Sequence, residues 1–216
     1  IRYAVDQGAS IINMSFGKYV SSDPERVREA LRYAAANDVL IVHAAGNEAN
    51  DIDAFPFYPN PGRYRDVDSV FINVGASTAT YDDLLIAEFS NVGKRRVDLF
   101  APGEDILSLG ADHDYIDHSG TSMASPIVAG VAALLRAYFP EFTAAEIKDI
   151  LLDSVHEPEF RVLPPGTPPS EVTFAKSMSK FCSSGGIVNA RNAVLEAQSQ
   201  RDAKAAAALA AAAADT

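Results

Sequence analysis

Two residues in this chain stand where their chemistry can be used: a serine on a glycine turn and an asparagine after an apolar run. Ser122 follows Gly120-Thr121 and opens the stretch GTSMASPIVAGVAALLRAYF, residues 120–139. That stretch is alanine-rich and has almost no polar face, which predicts a helix buried in the middle of a domain. Pro126 lies near its start, and Arg136, its one charge, lies near its end, where the dipole favours a cation. Ser122 then sits at the positive end of a central helix, beside unpaired backbone N–H groups that can hold an anion. This is a position for a nucleophile. The plainer alternative is that Thr121 or Ser122 is an N-cap.

A serine hydroxyl is a weak nucleophile at neutral pH and needs a general base, normally a histidine oriented by a carboxylate. The histidines are His43, His113, His118 and His156. His43 falls inside an apolar run, and His118 lies four residues before Ser122. These two are the candidates for a substitute base. His113 falls in a turn and His156 ends a helix. Asn47 follows the run VLIVHAA (39–45) and Gly46, so its carboxamide can project from the C-terminal edge of a sheet. Active sites of open α/β sheets lie along that edge. The alternative for Asn47 is a turn residue tolerating positive φ.

These side chains need a scaffold, and the chain supplies one in order. Residues 1–8 read as the end of a helix closed by Gly8. SIINMS (10–15) is a strand, and Ser22-Asp23-Pro24-Glu25 caps a helix to about Asn37 whose apolar face carries Val27, Ala30, Leu31 and Ala34. Strands follow at 39–45, 69–75 and 97–101, then a hairpin at 106–109 and 115–118. Thr143-Ala-Ala-Glu146 is a capping box for a helix to about Val155. GGIVN (185–189) leads into a helix from Ala190 to about Gln198. Near-continuous apolar strands alternating with helices predict a parallel sheet covered on both faces, an α/β fold. Residues 157–186, with five prolines and little periodicity, read as an irregular surface excursion. Residues 200–216 are an alanine-rich helical tail or linker.

Length and charge narrow the function classes. A chain of 216 residues suffices for one domain with a sizeable core. Its net charge of −11 argues against nucleic acid as a main partner. Cys182 is the only cysteine, so no internal disulfide forms. No apolar run except 120–139 is long enough for a membrane span, and a buried helix explains that one.

Three segments carry a family resemblance: GTSMASP with the VAGVAALL that follows it, IINMSFG (11–17), and AAGNE (44–48). In sequence and order they closely resemble the subtilisin-like serine peptidases, and the likeness extends over about residues 1–195, more weakly between about 157 and 184. It implies a serine endopeptidase acting through an acyl-enzyme on Ser122. Asn47 and the Ser122 backbone N–H would donate to the oxyanion. Ser15, Phe16 and Gly17 would pair with the substrate backbone. Ala44, Ala45 and Gly46 would wall the pocket for the residue before the scissile bond. Lys18 stands where many members carry a second glycine. Glu48 would lie near the pocket, either favouring basic substrate residues or as a solvated acid.

The same resemblance implies no required cofactor. Structural calcium is compatible with the acidic balance, but no residues can be assigned to it. The partner implied is a peptide or protein substrate, and the location secreted or cell-envelope. The family's Asp and HGTH-type His motifs are not in this sequence. The expectation is therefore that residues 1–199 form the C-terminal two-thirds of a catalytic domain, with Asp and His upstream of Ile1. The subtilisin-like sheet would then lack its N-terminal portion, leaving a surface open to self-association. Two alternatives remain: a non-catalytic subtilisin-like module that binds peptides or proteins, and a non-peptidase hydrolase. The Gly-Thr-Ser-Met-Ala context, which is not a GxSxG elbow, disfavours the second.

Overall fold

The computed structural model describes residues 1–62, 64–111 and 113–214. Its frame is a four-stranded parallel sheet of β1 (Ile11–Met14), β2 (Leu40–Ala44), β3 (Phe71–Ser77) and β4 (Leu99–Pro102), in that spatial order. Ile11 lies opposite Leu40, Ile41 opposite Phe71, and Val74 opposite Leu99. Both β2 and β3 are buried along their whole length. Parallel strands covered on two faces must be.

Alternation of side chains divides the sheet into two cores. Leu40, Val42, Ile72, Val74, Leu99 and Ala101 pack on one side against α4 (Thr121–Tyr138), α5 (Ala144–Asp153) and α6 (Ala190–Ala214). Ile41 and Phe71 face the other side, against Leu31 and Ala34 of α2 (Pro24–Ala36) and Val67 of α3 (Arg65–Asp68). The short α1 (Arg2–Asp6) closes at Gly8, whose φ of 84° suits glycine. The α/β fold with helices on both faces is therefore present.

Local signals set the helix ends. Asp23 accepts a hydrogen bond from the Arg26 N–H at 3.1 Å, with Pro24 in the first position of α2. Thr143 and Glu146 cap α5 reciprocally. The hairpin of β5 (Ile106–Leu109) and β6 (Tyr115–His118) forms at the expected residues. One internal cation ties the layers together. Buried Lys148 of α5 donates to the carbonyls of Asp68 (2.9 Å) and Phe71 (2.6 Å) and pairs with Asp98 at 3.0 Å. Burial pushes the Asp98 carboxyl upward, and the Lys148 charge pulls it back.

Four features differ from the sequence reading. Strand β3 begins at Phe71, because residues 65–68 form the extra turn α3. Helix α4 is not buried all round. It rests on all four strands through Ala124, Val128, Ala132 and Leu135, but Gly130, Ala133, Leu134, Ala137 and Tyr138 are exposed. An apolar run records the absence of a polar face, not the presence of a neighbour. The 157–186 segment is more than a surface excursion. Val162, Met178, Phe181 and Cys182 are buried in a third cluster with Ala45, Phe100 and Ile86. The tail continues α6 without a break to Ala214, and Lys204 reaches both Glu146 and the Phe142 ring. The last two tail residues, 215–216, lie outside the described residues. Among the described residues, no helix is long and apolar enough to cross a membrane.

Candidate active site

The strand ends and the start of α4 meet along one edge of the sheet. Ser15, Phe16 and Gly17 follow β1; Ala45, Gly46 and Asn47 follow β2; Gly120, Thr121 and Ser122 open α4. Gly120 adopts φ 155° and ψ 158°, a region open only to glycine, and so turns the chain into the helix. A Cβ there would sit 3.4 Å from the Asn47 amide nitrogen. The N-cap position belongs to Gly120, with no side-chain cap bond. Thr121 and Ser122 are thereby released from the capping role.

Thr121 is a relay. Its hydroxyl accepts from the Gly46 N–H at 3.1 Å and donates to Asn47 Oδ1 at 2.9 Å. The Thr121 backbone N–H also donates to Asn47 Oδ1, at 2.8 Å. A backbone N–H can only donate, so the carbonyl limb of the Asn47 carboxamide must face Thr121. The amide limb, two N–H donors, is left for the site. Asn47 and Ser122, 75 positions apart, are thus held at one helix N-terminus. There the Ser122 N–H belongs to the first turn and has no intrahelical acceptor.

Ser122 is tied to the segment after β1 as well. Its hydroxyl donates to the Ser15 carbonyl at 3.2 Å, and the Ser15 hydroxyl donates to the Ser122 carbonyl at 2.8 Å. The second bond depends on Pro126. In an unbroken α-helix the Ser122 carbonyl would accept from the N–H of residue 126, and proline has none. The sequence reading placed Pro126 near the helix start for its tolerance there. The structure places it inside the helix, where its missing donor frees a carbonyl for Ser15. Asn13 joins this network by donating to the Ser15 hydroxyl at 3.0 Å and accepting from Ser125 at 2.6 Å.

The histidines do not gather here. Among the described residues, no imidazole hydrogen-bonds the Ser122 hydroxyl. His43 lies fully buried in β2. Its Nε2 is 2.9 Å from the Phe16 carbonyl and its Nδ1 is 3.0 Å from Asn73 Oδ1. Burial pushes its pKa down to about 4, against these two partners. His43 steadies the backbone of Phe16. His118 ends β6 opposite Ile106 and is exposed, His113 sits in a turn at φ 65°, and His156 bonds the Tyr81 hydroxyl.

Glu48 is neither free nor merely solvated. One oxygen, Oε2, accepts from the Asn47 N–H (2.9 Å), the Tyr19 hydroxyl (2.9 Å) and the Asn91 amide (3.0 Å). Asn91 also donates to the Ala45 carbonyl at 2.8 Å and accepts from the Glu48 and Asn50 N–H groups. A Cβ on Gly46, whose φ is 103°, would lie 2.3 Å from the Asn91 amide. Thr121, Tyr19 and Asn91 are supports that the sequence reading did not single out. Thr121 was in view only as a cap, and nothing in the spacing of Tyr19 or Asn91 marks them. Lys18 pairs its backbone with Tyr58 in an antiparallel bridge. Among the described residues, no group of three or more His, Cys, Asp or Glu is arranged to hold a metal ion.

Comparison with known proteins bears on this geometry. The major intracellular serine protease of Bacillus subtilis is 40% identical over 141 residues, covering 65% of this chain and 41% of that protein. Mycosin-4 of Mycobacterium tuberculosis is 35% identical over 185 residues, covering 73% of this chain and 39% of that one. A halolysin-like extracellular serine protease of Natrialba magadii and a cell wall-associated protease of B. subtilis also match, at 36% and 39% identity. The chain spans about two-fifths of the length of the first of these relatives. Among solved structures, the prenylagaramide maturation protease PagA superposes with a TM-score of 0.69 at 26% identity, covering 91% of this chain and 64% of that one. A subtilase cytotoxin SubAB structure gives 0.68 at 28%, covering 88% and 59%. The Subtilase family model matches residues 1–201, and this chain belongs to that family.

Proposed function

We propose that the full-length protein is a serine endopeptidase that cleaves through an acyl-enzyme on Ser122, with its triad Asp and His contributed by residues upstream of Ile1. One observation carries the reading. Ser122 and the Asn47 amide are held together at the N-terminus of α4 by the Thr121 relay, within a chain of the Subtilase family. Substrate would pair along Ser15–Gly17, and its side chain before the scissile bond would enter between that segment and Ala44–Gly46.

In the reaction, the Ser122 oxygen attacks the carbonyl carbon as the upstream histidine takes its proton. The tetrahedral oxyanion receives the Ser122 N–H and the Asn47 amide, donors fixed before the reaction begins. The histidine then protonates the departing amine as the carbon–nitrogen bond breaks, and water hydrolyses the ester. The B. subtilis and N. magadii relatives, each named a protease, support the reaction class.

The upstream segment would also cover the bare flank of α4 and pair with the outer edge of β1. In the 216-residue chain alone, both surfaces are open to a second copy. A secreted or cell-envelope location belongs to the same proposal, supported by the extracellular and wall-associated relatives, whereas the first relative above is named intracellular. The competing reading is a non-catalytic peptide-binding module. It is favoured by the absence, among the described residues, of an imidazole bonded to Ser122.

The deciding experiment is active-site titration of the full-length protein with a fluorophosphonate probe, beside peptide hydrolysis. Stoichiometric labelling and turnover, both lost in Ser122→Ala, are expected. The isolated chain should be slower by about 10⁶, the size of the loss when a triad base is removed. A full-length protein that binds peptides but is neither labelled nor active would refute the peptidase.

A further inference from the structure

The carboxyl edge of the sheet holds a second opening. Phe16 and Gly17 follow β1, the outer strand at one side, and Glu104 follows β4, the outer strand at the other. At the ends of β3 and β4 lies a cavity of about 370 Å³. Leu84 and Ile86 line it, together with a proline-rich strap, residues 163–169. This strap falls where the family resemblance is weakest.

The strap is built in. Val162 and Lys176 exchange backbone hydrogen bonds at 2.8 Å each, and the Leu163 N–H donates to the Asp83 carbonyl at 2.7 Å. Val162 and Leu163 are buried, and the Thr167 N–H closes a turn onto the Pro164 carbonyl at 3.1 Å. Four prolines between 164 and 169 limit what the strap can do when empty, so little ordering is left for a ligand to impose.

Two carboxylates line the cavity, Glu88 and Glu104. None of the ion pairs among the described residues involves either. Both are anchored to the candidate active site through the backbone. Glu104 follows Gly103, whose carbonyl accepts from the Gly120 N–H at 2.7 Å. Glu88 precedes Phe89, whose carbonyl accepts from the Ala49 N–H at 2.9 Å, two residues beyond Asn47. The net charge of −11 adds a field that attracts cations to such a mouth.

We propose that this cavity takes a basic side chain, arginine above lysine, from the polypeptide on the leaving-group side of the scissile bond. The inference rests on the peptidase reading. Substrate before the bond lies along Ser15–Gly17 at the β1 side, so a chain crossing Ser122 continues toward β3 and β4. The apolar walls suit the methylene stem of such a side chain, and the planar guanidinium can engage two carboxylates where an ammonium is a single point charge.

The test is binding to the 216-residue chain, which needs no turnover. Fluorescein-labelled decapeptides carry arginine at the first, second or third position after the central bond. Each is compared with its citrulline counterpart, which keeps the shape and loses the charge. Fluorescence anisotropy should show an arginine preference of about threefold to tenfold at one position, the size expected of partly exposed ion pairs. Glu88→Gln with Glu104→Gln should abolish the preference and leave citrulline binding unchanged. Each single change should reduce it, so the result does not hang on one variant.

Equal binding of the two peptides at every position, a preference that survives the double change, or no binding at millimolar peptide would each overturn the proposal. So would calcium retained by the unchanged chain and lost in the double variant with no arginine preference, which would assign the acids to a metal. Arginine preference beside a full-length protein that forms no acyl-enzyme would keep the cation site and discard the peptidase. Acyl-enzyme formation with no preference would do the reverse.

Discussion

His43 offers the sharpest test of the frame behind the site. The perturbation is acid. In the folded chain burial holds the His43 pKa down to about 4, whereas the ordinary value for the free side chain is 6.5. Between those values the unfolded chain binds a proton at this position that the native chain does not. Stability therefore rises with pH across the window and is lost as pH falls from 6.5 toward 4. For that shift the loss between pH 7.5 and 4.5 is about 2.5 kcal/mol, a large share of an ordinary domain's stability. Carboxylates titrate over the same range, so the contribution is read against His43→Gln, which keeps an amide donor for the Phe16 carbonyl and cannot take a proton. Urea unfolding at four pH values gives both free energies. The stability of the natural chain minus that of the variant should fall by about 2.5 kcal/mol on acidification. A flat difference, or one that grows in acid, would show that His43 is not held neutral and would undo the placement of its ring between Phe16 and Asn73.

Three further outcomes follow from the same geometry. In the full-length protein, Asn47→Ala should lower kcat by about 10²–10³ with KM nearly unchanged, because its amide strengthens only on the oxyanion; an equal rise in KM with kcat intact would place Asn47 in ground-state binding instead. Lys148→Met should cost about 3–5 kcal/mol in thermal or urea unfolding by leaving the Asp98 carboxylate buried without its cation. Adding Asp98→Asn should recover part of that loss, and a single change costing nothing would refute the internal ion pair. The 216-residue chain should self-associate in sedimentation as its concentration rises, through the β1 edge and the bare flank of α4; a strict monomer at high concentration would exclude that.

Much of the frame was legible because its signals are local. The α2 cap at Asp23, the Thr143–Glu146 capping box and the hairpin at 106–118 each need only a few neighbouring residues, and each formed where the sequence placed it. The α4 flank and the buried part of 157–186 were not legible, since burial depends on what packs from elsewhere. Val162, Phe181 and Cys182 show no helical or strand period. They are buried because Ala45, Phe100 and Ile86 leave a space for them. In the candidate site, Ser122 and Asn47 stood out by type and position. Tyr19 and Asn91 did not, because each acts by supporting Glu48 and the strand end across long sequence separations.

The site also shows why a rule of local structure can hide a second use. A proline inside a helix costs a backbone bond, and at Pro126 the carbonyl it orphans is that of Ser122 itself. Water could have satisfied that oxygen, but the Ser15 hydroxyl does so instead, at 2.8 Å. Two strand ends and the helix start are thereby latched: β1 through Ser15 to Ser122, and β2 through Asn47 to Thr121. Each hydrogen bond in these latches contributes about 1 kcal/mol net, which is modest for stability. For catalysis the same slack is expensive, because donors displaced by even 1 Å from the developing charge lose most of their effect. Local rules broken where two distant segments must meet mark the candidate site more sharply than any single residue type does.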